Sequence, residues 1–141
     1  MNGTSFAGVW ICAAKATVIL WNPPGEPLVH HLESSVPPHH RSTGFAPTQK
    51  HPAGEGRRDE HLRLFFTQVE ALLPPTAALL LLGDGEVVEH LGHQLVAADL
   101  HHGRHRRLEV EKTVPLSDRQ LIARLRLFAG LLPARQLPRL G

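Results

Sequence analysis

Arginine and histidine dominate the groups in this chain that could bind a charged partner. Arg104, Arg106 and Arg107 fall within four positions, and Arg119, Arg124 and Arg126 follow shortly after. Guanidinium groups at this density suit the phosphate backbone of RNA, which they grip without reading its sequence. Arg119 and Arg126 are seven apart and can share a helix face; Arg124 lies off it. The bland reading of the same residues is a solvated surface with helix-end arginines complementing the macrodipole. His90 and His93 are one helical turn apart and His101, His102 and His105 follow, so nitrogen-only coordination of zinc, nickel or copper is conceivable. Their spacing matches no specific metal motif, and the pairs His30-His31 and His39-His40 spread histidine along the whole chain. No metal or other cofactor is expected.

Two-metal phosphodiester chemistry needs clustered carboxylates, because the paired cations neutralise both attacking and leaving oxygens. Glu60, Glu70, Asp84 and Asp118 are available, with helix capping as the plainer role for Asp84 and Asp118. Gly83-Asp84-Gly85 before a helix could hold an anion on backbone N–H groups. Asp84 sets a negative charge at its mouth, and neither a dinucleotide fingerprint nor a Walker lysine is present, so a tight structural turn explains the same residues. Cys12 lies in an apolar run without an obvious activating base, which argues against a nucleophilic thiol. No catalytic residue is assigned, and the protein is expected to be non-enzymatic.

The 141 residues, 42% hydrophobic and 20% charged, suit a single domain over 1–141 that buries roughly 70% of the extended chain's surface. Aromatics are 5% with no Tyr, which disfavours an extended stacking surface for single-stranded nucleic acid. One Cys excludes a disulfide framework and a multi-cysteine zinc site, and suits a reducing, cytoplasmic setting. Residues 1–99 carry six Lys/Arg against ten Asp/Glu, whereas residues 100–141 carry nine against three. The last third is therefore the basic end. Protonating the eleven His would add to the formal +2, so acid should strengthen binding to polyanions. The apolar run from Phe6 to Ala14 is broken by Lys15 and is far short of the ~20 residues of a spanning helix. No membrane partner is expected.

These groups need elements to position them. Gly8 to Cys12 and Ala16 to Trp21 are β-branched and aromatic, and the short link at 13–15 predicts an antiparallel hairpin of two central strands. Asn22-Pro23-Pro24-Gly25 is turn chemistry, and Leu28 to Leu32 reads as a third strand. From 34 to 58 periodicity disappears, predicting a long mobile loop. Asp59 to Leu73 shows helical spacing in Leu62, Phe65, Phe66, Val69, Leu72 and Leu73, with Asp59 at the N-terminus. Ala77 to Leu82 is a continuous apolar run suited to a strand covered on both faces. A helix from about Glu86 to Ala98 follows, with Val87, Val88, Leu91, Leu95 and Val96 inward. Arg107 to Glu111 alternates as an edge strand. Ser117 and Gln120 form a capping-box pattern opening a helix to about Leu132, with Gly130 and Pro133 marking its end and a frayed tail over 134–141. Right-handed crossovers then give a ribonuclease H-like α/β fold: a five-stranded mixed sheet, three strands antiparallel and two parallel, flanked by three helices.

The succession, with particular words at particular places, resembles the bacterial members of the archaeo-eukaryotic release-factor superfamily, of the host-attachment or translational machinery type. The resemblance covers roughly residues 8–132. It rests on Val9-Trp10-Ile11 with its tight return, on the Phe65-Phe66 helix, and on the strand entering Gly83-Asp84-Gly85, where the family has Gly-Pro-Gly. The polar Glu86 to Leu95 helix continues it, and Ser117-Asp118-Arg119-Gln120-Leu121 stands where the family shows a Thr-Asp-Gly-Gln-Leu type of helix start. It implies the central ribonuclease H-like domain of release factors and Pelota-like proteins, and with it contact with ribosome or tRNA. Cys12-Ala13-Ala14-Lys15 replaces the polar Asp-His-Arg-like turn of the bacterial proteins, and Cys12 stands where a metal carboxylate of the fold would sit. Residues 34–58 offer Gln49 and Gly54-Glu55-Gly56 but no Gly-Gly-Gln, so peptidyl-tRNA hydrolysis is not implied. The expectation is translation-associated RNA binding through the six arginines. The alternatives are a protein-interaction module, homo-oligomeric through the strand near Leu108 or an exposed helix face, and a histidine-rich metal-binding protein.

Overall fold

The computed structural model describes residues 5–34 and 52–130. Chain order is β1 (Phe6–Ile11), β2 (Lys15–Trp21), β3 (Leu28–Glu33), α1 (Pro52–Leu72), β4 (Ala78–Gly83), α2 (Gly85–His101), β5 (Leu108–Lys112) and α3 (Asp118–Phe128). The strands form one sheet in the order β3-β2-β1-β4-β5. β1 pairs antiparallel with β2, which pairs antiparallel with β3; β4 lies parallel to β1, and β5 parallel to β4. This is the expected five-stranded mixed α/β arrangement with three helices.

Alternation along the strands sorts the core into two layers. Val9, Ile11, Val18, Leu79 and Leu81 face α1 and α2, where Leu62, Phe65, Val69, Val88, Leu91 and Leu95 cover them. Trp10, Ile19, Trp21, Leu80 and Leu82 face α3 through Leu121, Leu125 and Phe128. β4 is buried at every position because both layers meet on it, and each large side chain so covered contributes about 1.5–3 kcal/mol. Gly8 lies under α3: a Cβ there would stand 3.3 Å from Leu125 Cδ1. The missing side chain lets the helix settle close to the sheet.

Several boundaries differ from the sequence reading. α1 begins at Pro52, so Asp59 lies inside the helix and does not cap it. Proline fits a first helical turn, and extending an existing helix is far easier than nucleating one, so the glycines at 54 and 56 do not stop it. Of the loop expected over 34–58, residues 52–58 are therefore helical, and 35–51 lie outside the described residues. The tail over 134–141 also lies outside them. α2 runs on to His101, and Val96, expected inward, is exposed, while Asp99 is buried. The inward stripe of α2 is 87, 88, 91, 92, 95 and 99; Val96 falls off it by the 3.6-residue period. α3 ends at Phe128, four residues before the expected Leu132, because Gly130 takes φ +87 and its N–H donates to Leu127 O, closing the helix with a left-handed glycine.

Candidate functional site

β1, β4 and β5 start at the same end of the sheet, and α3 runs back across it. Four of the six arginines meet at that amino end. Arg104, Arg106 and Arg107 lie in the link entering β5, anchored where Leu79 N–H donates to Arg107 O. Arg126 arrives from the last turn of α3. They border three aromatic rings: Phe6 stands 5.9 Å from Trp21 and 6.4 Å from Phe128 between centroids. Arg107 lies over this cluster, its Cζ 3.9 Å from the Phe128 centroid, and Arg126 Cζ is 5.1 Å from that of Trp21. Both contacts are within cation–π range.

The neighbours Arg106 and Arg107 have different roles. Asp99 is held by Arg104 Nε on one oxygen and Arg106 Nε on the other, each at 3.0 Å, and Arg106 Nη1 donates to Pro74 O at 2.9 Å. With only 5% of its side chain exposed, Arg106 ties α2 to the α1–β4 junction and offers little to a ligand. Arg107 is 51% exposed. Its Nη1 donates to Phe128 O at 2.8 Å, and its Nε and Nη2 contact Glu109 Oε2 at 3.3 and 3.0 Å. Its nitrogens are thereby held while about half of the side chain stays exposed. A hollow of about 460 Å³ opens beside it, lined by Phe6, Pro75, Thr76, Ala78 and residues 104–107. The remaining two arginines lie elsewhere. Arg124 pairs with Glu111, and Arg119 stands at the opposite end of α3, exposed. The arginines thus do not form one continuous surface.

The opposite, carboxyl end of the parallel strands carries Gly83-Asp84-Gly85. A crevice of about 590 Å³ there is lined by Trp10, Cys12, Lys112, Thr113 and this turn. Gly83 has φ +151, and a Cβ on it would fall 2.1 Å from Ile11 O, so backbone proximity of β4 to β1 explains that glycine. Asp84 occupies the N-cap position of α2 but its side chain accepts no capping hydrogen bond. Asp118 does not cap α3 either: Ser117 does, with Gln120 completing the capping box, and the two Asp118 oxygens lie 3.0 and 3.1 Å from His31 Nε2. Lys112 Nζ is 3.2 Å from Glu89, and Trp10 Nε1 donates to Thr113 Oγ1 and Val114 O.

The carboxylates considered for metal chemistry are dispersed. Glu70 is 3.4 Å from Gln94 Nε2, Glu60 is exposed on α1, and Asp84 and Asp118 are placed as above. His101 and His102 meet edge to face at 5.0 Å, His105 lines the amino-end hollow, His90 borders a groove with Asp59 and Arg63, and His93 is exposed. Among the described residues no group of three or more His, Cys, Asp or Glu could hold a metal ion, and no helix is long and apolar enough to cross a membrane.

Sequence reasoning missed the partners: Asp99, Glu109 and the aromatic trio. Asp99 was findable, being four residues beyond Leu95 on the apolar stripe. Phe6 meets Trp21 through the β1–β2 register, visible only once the strand is known to start at Phe6.

No protein-family profile matches the chain, and no curated protein matches it. Among solved structures it is similar to the Thermoplasma acidophilum Pelota protein at 12% identity and a TM-score of 0.47, with 93% of this chain and 35% of that one covered. The chain spans about a third of the Pelota chain that it matches.

Proposed function

We propose that the protein is a cytoplasmic, non-enzymatic, translation-associated factor that binds the backbone of ribosomal RNA or tRNA, with the amino-end arginines as its main contact. The observation that carries the reading is the convergence of Arg104, Arg107 and Arg126 at one end of the sheet, two of them resting on aromatic rings. Guanidinium groups fixed in this way lose little freedom when they meet phosphate. Both Nη groups of Arg104 and the whole Arg126 guanidinium have no carboxylate partner among the described residues. Arg119 and Arg124 lie on α3 as secondary contacts, and Arg106 supports the others from below. The excess of basic residues after position 99 adds long-range attraction without base reading.

Binding to tRNA, followed by fluorescence anisotropy, and co-sedimentation with ribosomes test the proposal. Saturable binding at low salt is expected, weakened at least about tenfold by the joint replacements Arg104→Glu, Arg107→Glu and Arg126→Glu. Failure of the unaltered protein to bind tRNA and to pellet with ribosomes at low salt would reject it.

A further inference from the structure

The amino-end hollow is more than a patch of positive charge. Phe6, Pro75 and Ala78 give it an apolar lining, and Arg104 and Arg107 line it as well. About 460 Å³ lies within the range of small-ligand sites. A paired helix cannot enter such a hollow, but one base with its phosphate can. Arg107 supplies the second requirement. Its Cζ lies 3.9 Å from the Phe128 centroid, and Glu109 and the Phe128 carbonyl accept hydrogen bonds from its nitrogens. A half-exposed guanidinium held in this way is of the kind on which unpaired RNA bases stack. Arg104 lines the same hollow and spends its Nε on Asp99, which leaves its Nη donors suited to the attached phosphate.

We infer that this hollow takes a single nucleoside monophosphate unit, its base stacked on the Arg107 guanidinium and its phosphate met by Arg104. The inference rests on the proposed RNA binding and adds to it a preference for an unpaired nucleotide. Base contact by an extended aromatic surface is disfavoured by composition; one preformed guanidinium platform requires no such surface.

The full chain is titrated with a fully paired RNA hairpin and with the same hairpin carrying a one-nucleotide bulge. The bulged hairpin is expected to bind about tenfold more tightly. Thr76→Trp, which fills the hollow from an exposed position and leaves every arginine in place, should bring the ratio within about twofold while affinity for the paired hairpin stays unchanged. Arg107→Lys, which keeps the charge and loses the plane, should also reduce the ratio. Equal affinity of the unaltered protein for both hairpins overturns this inference and leaves backbone binding standing; no binding to either overturns both. Competition separates the sources of the nucleotide. Displacement of the bulged hairpin by AMP, at a concentration where inorganic phosphate has no effect, shows recognition of the free unit. Retention of the bulge preference with no displacement by AMP shows recognition only within a strand. Equal displacement by AMP and phosphate would reduce the hollow to an anion site and overturn the claim.

Discussion

Adjacent arginines can have opposite consequences when mutated. Arg106 is buried against Asp99 and Pro74 O, so Arg106→Ala strands a carboxylate that is itself mostly covered. Breaking one side of a buried pair is expected to cost about 3 kcal/mol, softened because Arg104 still holds the other Asp99 oxygen. Urea denaturation should read a loss of about 2–3 kcal/mol for Arg106→Ala, against less than about 0.5 kcal/mol for the exposed Arg119→Ala. A loss below about 1 kcal/mol for Arg106→Ala would show that the cluster does not brace the fold. Side-chain type alone could not separate these roles, because all six arginines read alike until Asp99, Glu109 and the rings were in place.

The elements differ in how much of them was legible. Ser117 and Gln120 announce the start of α3 because a capping box is complete within four residues; Ser117 Oγ accepts from Gln120 N–H, and Gln120 Oε1 from Ser117 N–H. Ser117→Ala should cost about 1 kcal/mol, read by thermal or urea unfolding. The start of α1 was illegible because glycines and a proline carry no helical period. Burial in β4 was plain from its unbroken apolar run, whereas the close fit between α2 and β5 was not. A Cβ at Gly92 would stand 2.9 Å from Val110 Cγ2, a β-branched side chain with little room to turn. Gly92→Ala should therefore give no net gain alone but stabilise the Val110→Ala background by about 1 kcal/mol, the intrinsic helical advantage of alanine. A double-mutant cycle measures that coupling, and additive effects would contradict the contact. At the end of β4, Gly83→Ala has no such remedy, since the obstacle is backbone, and is expected to prevent stable folding.

For the whole molecule, a mixed five-stranded sheet with three flanking helices followed from the succession of elements, since right-handed crossovers leave few alternatives, whereas the division of the helices between its two faces came from the structure. The placement of the arginines did not follow, because the direction in which α3 crosses the sheet brings Arg126 to the amino end and leaves Arg119, about 10 Å away along the helix, at the other. Three main phosphate contacts, and not six, set the expected salt response. Raising salt from about 50 to about 200 mM should lower RNA affinity about 20- to 40-fold. A flat response would argue against backbone binding, and a much steeper one would bring Arg119 and Arg124 into the contact.

The middle strand of the sheet also precedes its other four strands in chain order. β1 can join β2 as soon as the opening hairpin is made, yet its other edge has no partner until β4 is complete, with all of α1 intervening. During synthesis the nascent chain therefore holds an apolar ribbon with one unsatisfied side, open to chaperones or to the same ribbon on a neighbouring chain. Truncation after β3 should yield aggregating fragments, whereas release after β5 should not.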